Sequence, residues 1–106
     1  MPRYLFEVTY TPDGARGLIE HGGSARRAAI KESIEAAGGR LEAFYFAFGA
    51  TDAYVIAEHV DNVTAAAQAL AVAASGGASV RTVVLLAPEE IDAASGQQVA
   101  YRPPLG

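Results

Sequence analysis

RLEAFYFAFGATDAYVIAEH, residues 40–59, holds the pattern on which the fold turns. Side chains alternate across an extended chain. Phe44, Phe46 and Phe48 therefore share one side, and Leu41, Ala43, Tyr45 and Ala47 the other, which predicts a strand over 40–48. Gly49-Ala50-Thr51-Asp52 is turn chemistry, with glycine suited to positive φ and aspartate to bonding nearby backbone amides. Residues 53–59 form a second β-rich run. Two strands this closely coupled make an antiparallel hairpin.

Working outward from the hairpin, each flank repeats one arrangement. Upstream, residues 3–10 alternate as a first strand, with Tyr4, Phe6, Val8 and Tyr10 on one side. Thr11 caps a short helix through Glu20, with Pro12 at its first position and Asp13 at the positive end of its dipole. His21-Gly22-Gly23 interrupts it. Ser24 caps a second helical piece over 25–37, with Ile30, Ile34 and Ala37 on one face, and Gly38-Gly39 ends it. Downstream, Asp61 or Asn62 caps a helix running to about Ser75, stopped by Gly76-Gly77. Residues 80–87 read as a strand, and Pro88-Glu89-Glu90 opens a short helix ending near Gly96. Residues 97–106, with Pro103-Pro104, read as an extended tail after a domain over 1–96.

The order strand, helix, strand, strand, helix, strand predicts an α+β domain of the ferredoxin-like βαββαβ kind. It has a four-stranded antiparallel sheet with both long helices on one face. At 106 residues the chain is one domain with room for a core. It has no cysteine, so thiolate metal sites, disulfides and cysteine nucleophiles are excluded. That absence and the lack of a signal-like start point to the cytoplasm. The net charge of −4, with both signs interspersed, gives neither the basic face of a nucleic-acid binder nor the basic amphipathic helix of a membrane binder.

A sheet covered on one face reads apolar on that side and polar on the other. These strands do not. Residues 41–47 carry aromatic and aliphatic groups on both sides, and Val80, Thr82, Val84 and Leu86 alternate with Arg81, Val83, Leu85 and Ala87. An uncovered surface of that kind exceeds what soluble monomers expose. Burying about 600 Å² of it is worth on the order of 15 kcal/mol before association costs. The expected solution is a second copy packed face to face, giving a dimeric α/β barrel. The helix over 63–74 has no charged residue, which points either to a second oligomer contact or to a neutral helix surface.

Several landmarks, in order and spacing over nearly the whole chain, resemble the GYD domain family. They are Thr11-Pro12-x-Gly14, Gly38-Gly39, Leu41-Glu42-Ala43-Phe44-Tyr45-Phe46, Gly49-x-x-Asp52 and Val80-Arg81-Thr82. The resemblance implies a ferredoxin-like fold of the dimeric α/β-barrel type and brings no established reaction. The family is named for a Gly-Tyr-Asp signature. Here Thr51 stands where that tyrosine would be, so any chemistry of the tyrosine is lost, while Gly49 and Asp52 keep their turn roles.

The candidate functional residues fall in two groups. Glu7, Tyr45, Glu58 and Arg81 lie on strands and are able to share the face that becomes the barrel interior. A carboxylate in such a cavity serves as a ligand contact or a general base, or else simply pairs with an arginine. Ser24, Arg26 and Arg27 open the second helix, where two cations oppose the helix dipole unless an anion or a neighbouring acid sits beside them. His21 and His59 have no metal-ligand spacing, and a site needs three or four ligands, so no metal or other cofactor is expected. The expected function is binding of a small apolar or aromatic molecule between paired sheets, with or without cofactor-free chemistry. The alternative is a non-catalytic homo-oligomeric assembly module. The expected partners are a second copy and a small molecule, with no nucleic acid and no membrane.

Overall fold

A computed structural model describes residues 1–104; Leu105 and Gly106, the end of the tail, lie outside the described residues. The elements are β1 (Arg3–Tyr10), α1 (Pro12–His21), α2 (Gly23–Ala36), β2 (Arg40–Phe46), β3 (Ala53–Glu58), α3 (Asn62–Ala74), β4 (Ala78–Leu85) and α4 (Pro88–Ser95). The fold is α+β. The strands form one antiparallel sheet in the order β2-β3-β1-β4.

The core lies under α2 and α3. Tyr4 and Phe6 of β1 pack with Val55 and Ala57 of β3, Ile34 of α2 and Ala65 of α3. Tyr4 is fully buried, yet its hydroxyl donates to Asn62 Oδ1 at 2.5 Å, which ties the central strand to the start of α3. Burial, then the nearby Asp61, pushes the Tyr4 phenol up from its ordinary value, so it stays a neutral donor. Asp61 caps α3 as expected, accepting from the Thr64 N–H and hydroxyl, each at 2.8 Å. These bonds hold its carboxyl below the usual range.

Thr11 caps α1, with Pro12 at the first position. The α1–α2 break falls at Gly22, whose φ of 85° suits glycine. Gly22, not Ser24, is the N-cap of α2, and no side chain caps that end. Gly14 is needed for space. A Cβ there would stand 1.8 Å from the Gly77 carbonyl oxygen. The same approach lets the Thr11 N–H bond Gly77 O at 3.0 Å and the Thr11 hydroxyl bond Gly76 O at 2.8 Å. Threonine and three glycines thus lock the start of α1 to the turn before β4.

β2 differs from the expected alternation. The ladder with β3 shifts between Leu41 and Ala43, so Leu41 stands opposite Ala57 on the helix-covered face, together with Phe44 and Phe46. Glu42 is the extra residue of a β-bulge, which reverses the side of everything before it. The strand also ends at Phe46, and Phe48 is fully exposed beyond it. β4 begins two residues earlier than the sequence predicts. Gly49 does not take positive φ, so its expected conformational role is not found.

His59, at the end of β3, is fully buried against Tyr4 and Phe6, edge-on to the latter at 5.8 Å. Neither ring nitrogen has a hydrogen-bond partner. Burial lowers its pKa from the ordinary 6.5, so the ring is neutral in the folded protein.

Packing at Gly14 and Gly17 sets one pair of expected outcomes, and the buried His59 ring sets a second kind. Gly14→Ala should destabilise the protein by about 2 kcal/mol through overpacking. Gly17→Ala, in the interior of α1 where a Cβ meets nothing within 4 Å, should stabilise it by about 1 kcal/mol. Urea unfolding measures both. The second concerns pH. As pH falls, the unfolded chain takes up the His59 proton first, near 6.5, and the folded chain only later. Stability is therefore full above that value and declines below it. The urea midpoint should drop between about pH 7.5 and about pH 5.5, and His59→Leu should flatten that drop. A wild-type midpoint that holds steady over the window would show that the protonated ring finds a partner.

Candidate functional site

The face of the sheet away from the helices is uncovered, and its side chains stand in three rows set by strand register. The first row crosses β2, β3, β1 and β4 as Tyr45, Tyr54, Glu7 and Arg81. The second is Ala43, Ile56, Leu5 and Val83, wholly apolar. The third brings Arg40, Glu58, Arg3 and Leu85 into line, with the bulged Glu42 beside them. Alternation alone puts Glu7 on this side, because Phe6 and Val8 face the core.

Three of the four expected strand residues therefore meet in one row. Glu7 is flanked by Tyr54 on one side and Arg81 on the other, and Tyr45 follows beyond Tyr54. Glu7 makes no ion pair within 4.0 Å among the described residues. Glu58 shares the face but stands two rows away, about 13 Å along the strands. Its carboxylate is engaged by Arg3 at 3.3 Å and Arg40 at 3.4 Å, while Arg3 Nε reaches Glu42 at 2.7 Å. Glu58 belongs to a four-member charge cluster at the end of the sheet, and Glu7 to the polar and aromatic row. Tyr54 is the member that sequence reasoning did not single out. Its signal was present, since it alternates with Ile56 and Glu58.

The expected anion group does not converge. Arg26 turns toward Tyr10 and lines a hollow with His21 and Gly22. Ser24 and Arg27 instead line a shallow groove with Lys31, Glu42 and Tyr45 along the β2 edge. Consecutive residues of a helix point about 100° apart, so adjacent arginines serve different surfaces. Tyr10 is half-buried. Burial pushes its phenol up, the Arg26 guanidinium beside it pulls it down, and Asp52 adds to the rise. His21 is exposed, with Glu20 Oε2 at 4.0 Å. Among the described residues no group of three or more His, Asp or Glu side chains is placed to hold a metal ion, and no helix is long and apolar enough to cross a membrane.

The hairpin turn has a clear structural task. Asp52 Oδ2 accepts from the Tyr10 N–H at 2.9 Å, its own N–H donates to Val8 O at 2.8 Å, and the Thr9 hydroxyl reaches Ala50 O at 3.2 Å. The turn thus fastens β1 to the β2–β3 hairpin. Residues 4–95 match the model of the family described as GYD domain. The chain belongs to the GYD domain family. No curated protein and no solved structure gives a significant match. In this GYD domain the family landmarks Thr11, Gly14 and Asp52 all act on the backbone, closing the α1–β4 joint and the end of β1. The landmark stretches reach the open face with two charged side chains, Glu42 and Arg81.

The charge cluster and the polar row should respond differently to neutralisation. Glu58→Gln should cost about 1 kcal/mol, because it leaves Arg3 and Arg40 without their shared carboxylate. Glu7→Gln, with no ion pair to lose, should stay within about 0.5 kcal/mol of wild type. Chemical denaturation at low salt checks the pair, and equal effects would show that Glu7 holds a partner of its own.

Proposed function

We propose that this GYD domain is a ferredoxin-like subunit that pairs with a second copy through the open sheet face. The pair forms a dimeric α/β barrel whose interior receives a small apolar or aromatic molecule. The observation that carries this reading is the composition of that face. Its middle row is wholly apolar, Tyr45 is 70 % exposed and Tyr54 39 % exposed, and the ionised groups balance as three arginines (Arg3, Arg40, Arg81) against three glutamates (Glu7, Glu42, Glu58). The chain as a whole carries −4, so the charges outside this face account for the whole excess. A face with an apolar middle row and balanced charges on either side of it is able to meet a two-fold copy of itself without net repulsion, as an isologous contact requires. The strand order β2-β3-β1-β4 supports the ferredoxin-like assignment.

Sheets packed face to face stand about 10 Å apart. In the proposed pair, Ile56, Leu5 and Val83 would seal against their counterparts, and Arg3, Arg40, Glu42 and Glu58 would form the polar rim. Tyr45, Tyr54, Glu7 and Arg81 would line the cavity, with the tyrosines as walls and Glu7 and Arg81 as the polar points that orient a ligand. Glu7 is the group placed to act as a general base if the domain does cofactor-free chemistry.

Sedimentation of the purified domain at micromolar concentration should give a dimer, and Ile56→Asp should give a folded monomer. Native mass spectrometry of protein taken directly from cells should then show a small molecule carried by the dimer and lost on Tyr54→Ala. A dimer that never carries a ligand, with the interior filled by its own side chains, would favour the assembly module. A wild-type monomer would overturn both readings.

A further inference from the structure

On the helix-covered side, away from the open face, lies a hollow of about 380 Å³. Gly17 and Leu18 of α1, Ala25 and Arg26 of α2, Val72 of α3 and Tyr10 of β1 form its walls. That volume is in the range of small-molecule sites.

Gly17 is the first sign that the space is built for a ligand. It lies inside α1, does not take positive φ, and a Cβ added to it would meet nothing within 4 Å. Neither backbone geometry nor packing within the chain asks for glycine there, and alanine would make a better helix. What a side chain would occupy is the hollow itself. Glycine is the residue that lets a bound group approach a helix backbone closely.

Arg26 is the second sign. Its guanidinium stands at the hollow beside the Tyr10 phenol, and it makes no ion pair within 4.0 Å among the described residues. Asp52, the carboxylate that also acts on Tyr10, accepts from the Tyr10 N–H at 2.9 Å and keeps its charge, but it does not line the hollow. The Tyr10 hydroxyl remains a protonated donor. A guanidinium fork and a phenol O–H at the edge of an apolar hollow match the oxygens of a carboxylate.

The geometry points to a binding site for a small monocarboxylate with a compact apolar body. The acid lies on Arg26 and Tyr10, and the body lies over Gly17 between Leu18 and Val72. This site is independent of the dimer cavity and stands whether or not the sheet faces pair.

The test is an amide chemical-shift titration of the full chain with benzoate, with benzyl alcohol as its neutral counterpart. Benzoate should give saturable shifts at Tyr10, Gly17, Leu18 and Arg26, and should bind about tenfold more tightly than benzyl alcohol, as a charge-assisted bond to arginine implies. Arg26→Gln should erase that preference. Gly17→Leu should abolish binding of both probes by filling the hollow, and Gly17→Ala, which keeps the helix intact, should weaken both if the leucine variant does not fold. The assignment is overturned if benzoate shows no saturable shift up to about 10 mM. Equal affinity for the two probes, binding indifferent to both Gly17 variants, or shifts confined to Leu5, Tyr54 and Arg81 of the open face would also overturn it. Tighter binding of phenyl phosphate than of benzoate would overturn the choice of a carboxylate.

Discussion

The packing of Tyr4 and Phe6 against Val55, Ala57, Ile34 and Ala65 is the contact on which the rest of the molecule depends. β1 is central in the sheet, between β3 and β4. Once its aromatic side is committed to the helices, pleating sends Arg3, Leu5, Glu7 and Thr9 to the other side. Register then fixes what stands beside them. Tyr54 and Arg81 flank Glu7, Ile56 and Val83 flank Leu5, and Glu58 and Leu85 flank Arg3. The rows of the open face are thus a consequence of core packing on the opposite side, not an independent arrangement.

The same economy explains the family landmarks. Glycines and short polar residues recur where two backbones must meet. Gly14 admits the Gly77 carbonyl, Gly39 admits the Glu58 carbonyl, and Asp52 bridges to the Tyr10 amide. Each joins elements distant in the chain, and each would be spoiled by a larger or wrongly shaped side chain. Gly17 is different, because nothing in the chain approaches it.

Much of the architecture was legible before any coordinates. All four strands, the α1–α2 break and the caps at Thr11 and Asp61 follow from alternation, turn residues and helix-cap chemistry. The placement of Glu7, Tyr45 and Arg81 on one face also followed. The failures have specific causes. A bulge at Glu42 adds one residue to a strand with no marker of its own, so the side assigned to Leu41 was reversed. Ser24 had the chemistry of a cap, but the chain turned two residues earlier, at Gly22 with its positive φ. The split of Arg26 from Arg27 was implicit in helical geometry, yet which neighbour each would meet was not.

The linear chain determined by itself the kinds of element, their order, and the surplus of apolar side chains on both sides of the strands. These properties are local: they depend on dihedral preferences and on the two- and 3.6-residue periods of strand and helix. Only the tertiary structure decided that Glu7 sits between Tyr54 and Arg81, that Glu58 is held by two arginines, that His59 is sealed among aromatic rings, and that Gly17 faces open space. Those facts join residues tens of positions apart. Cross-strand register and helix packing set them, and both are fixed by the collective burial of the core, which no short window of sequence contains.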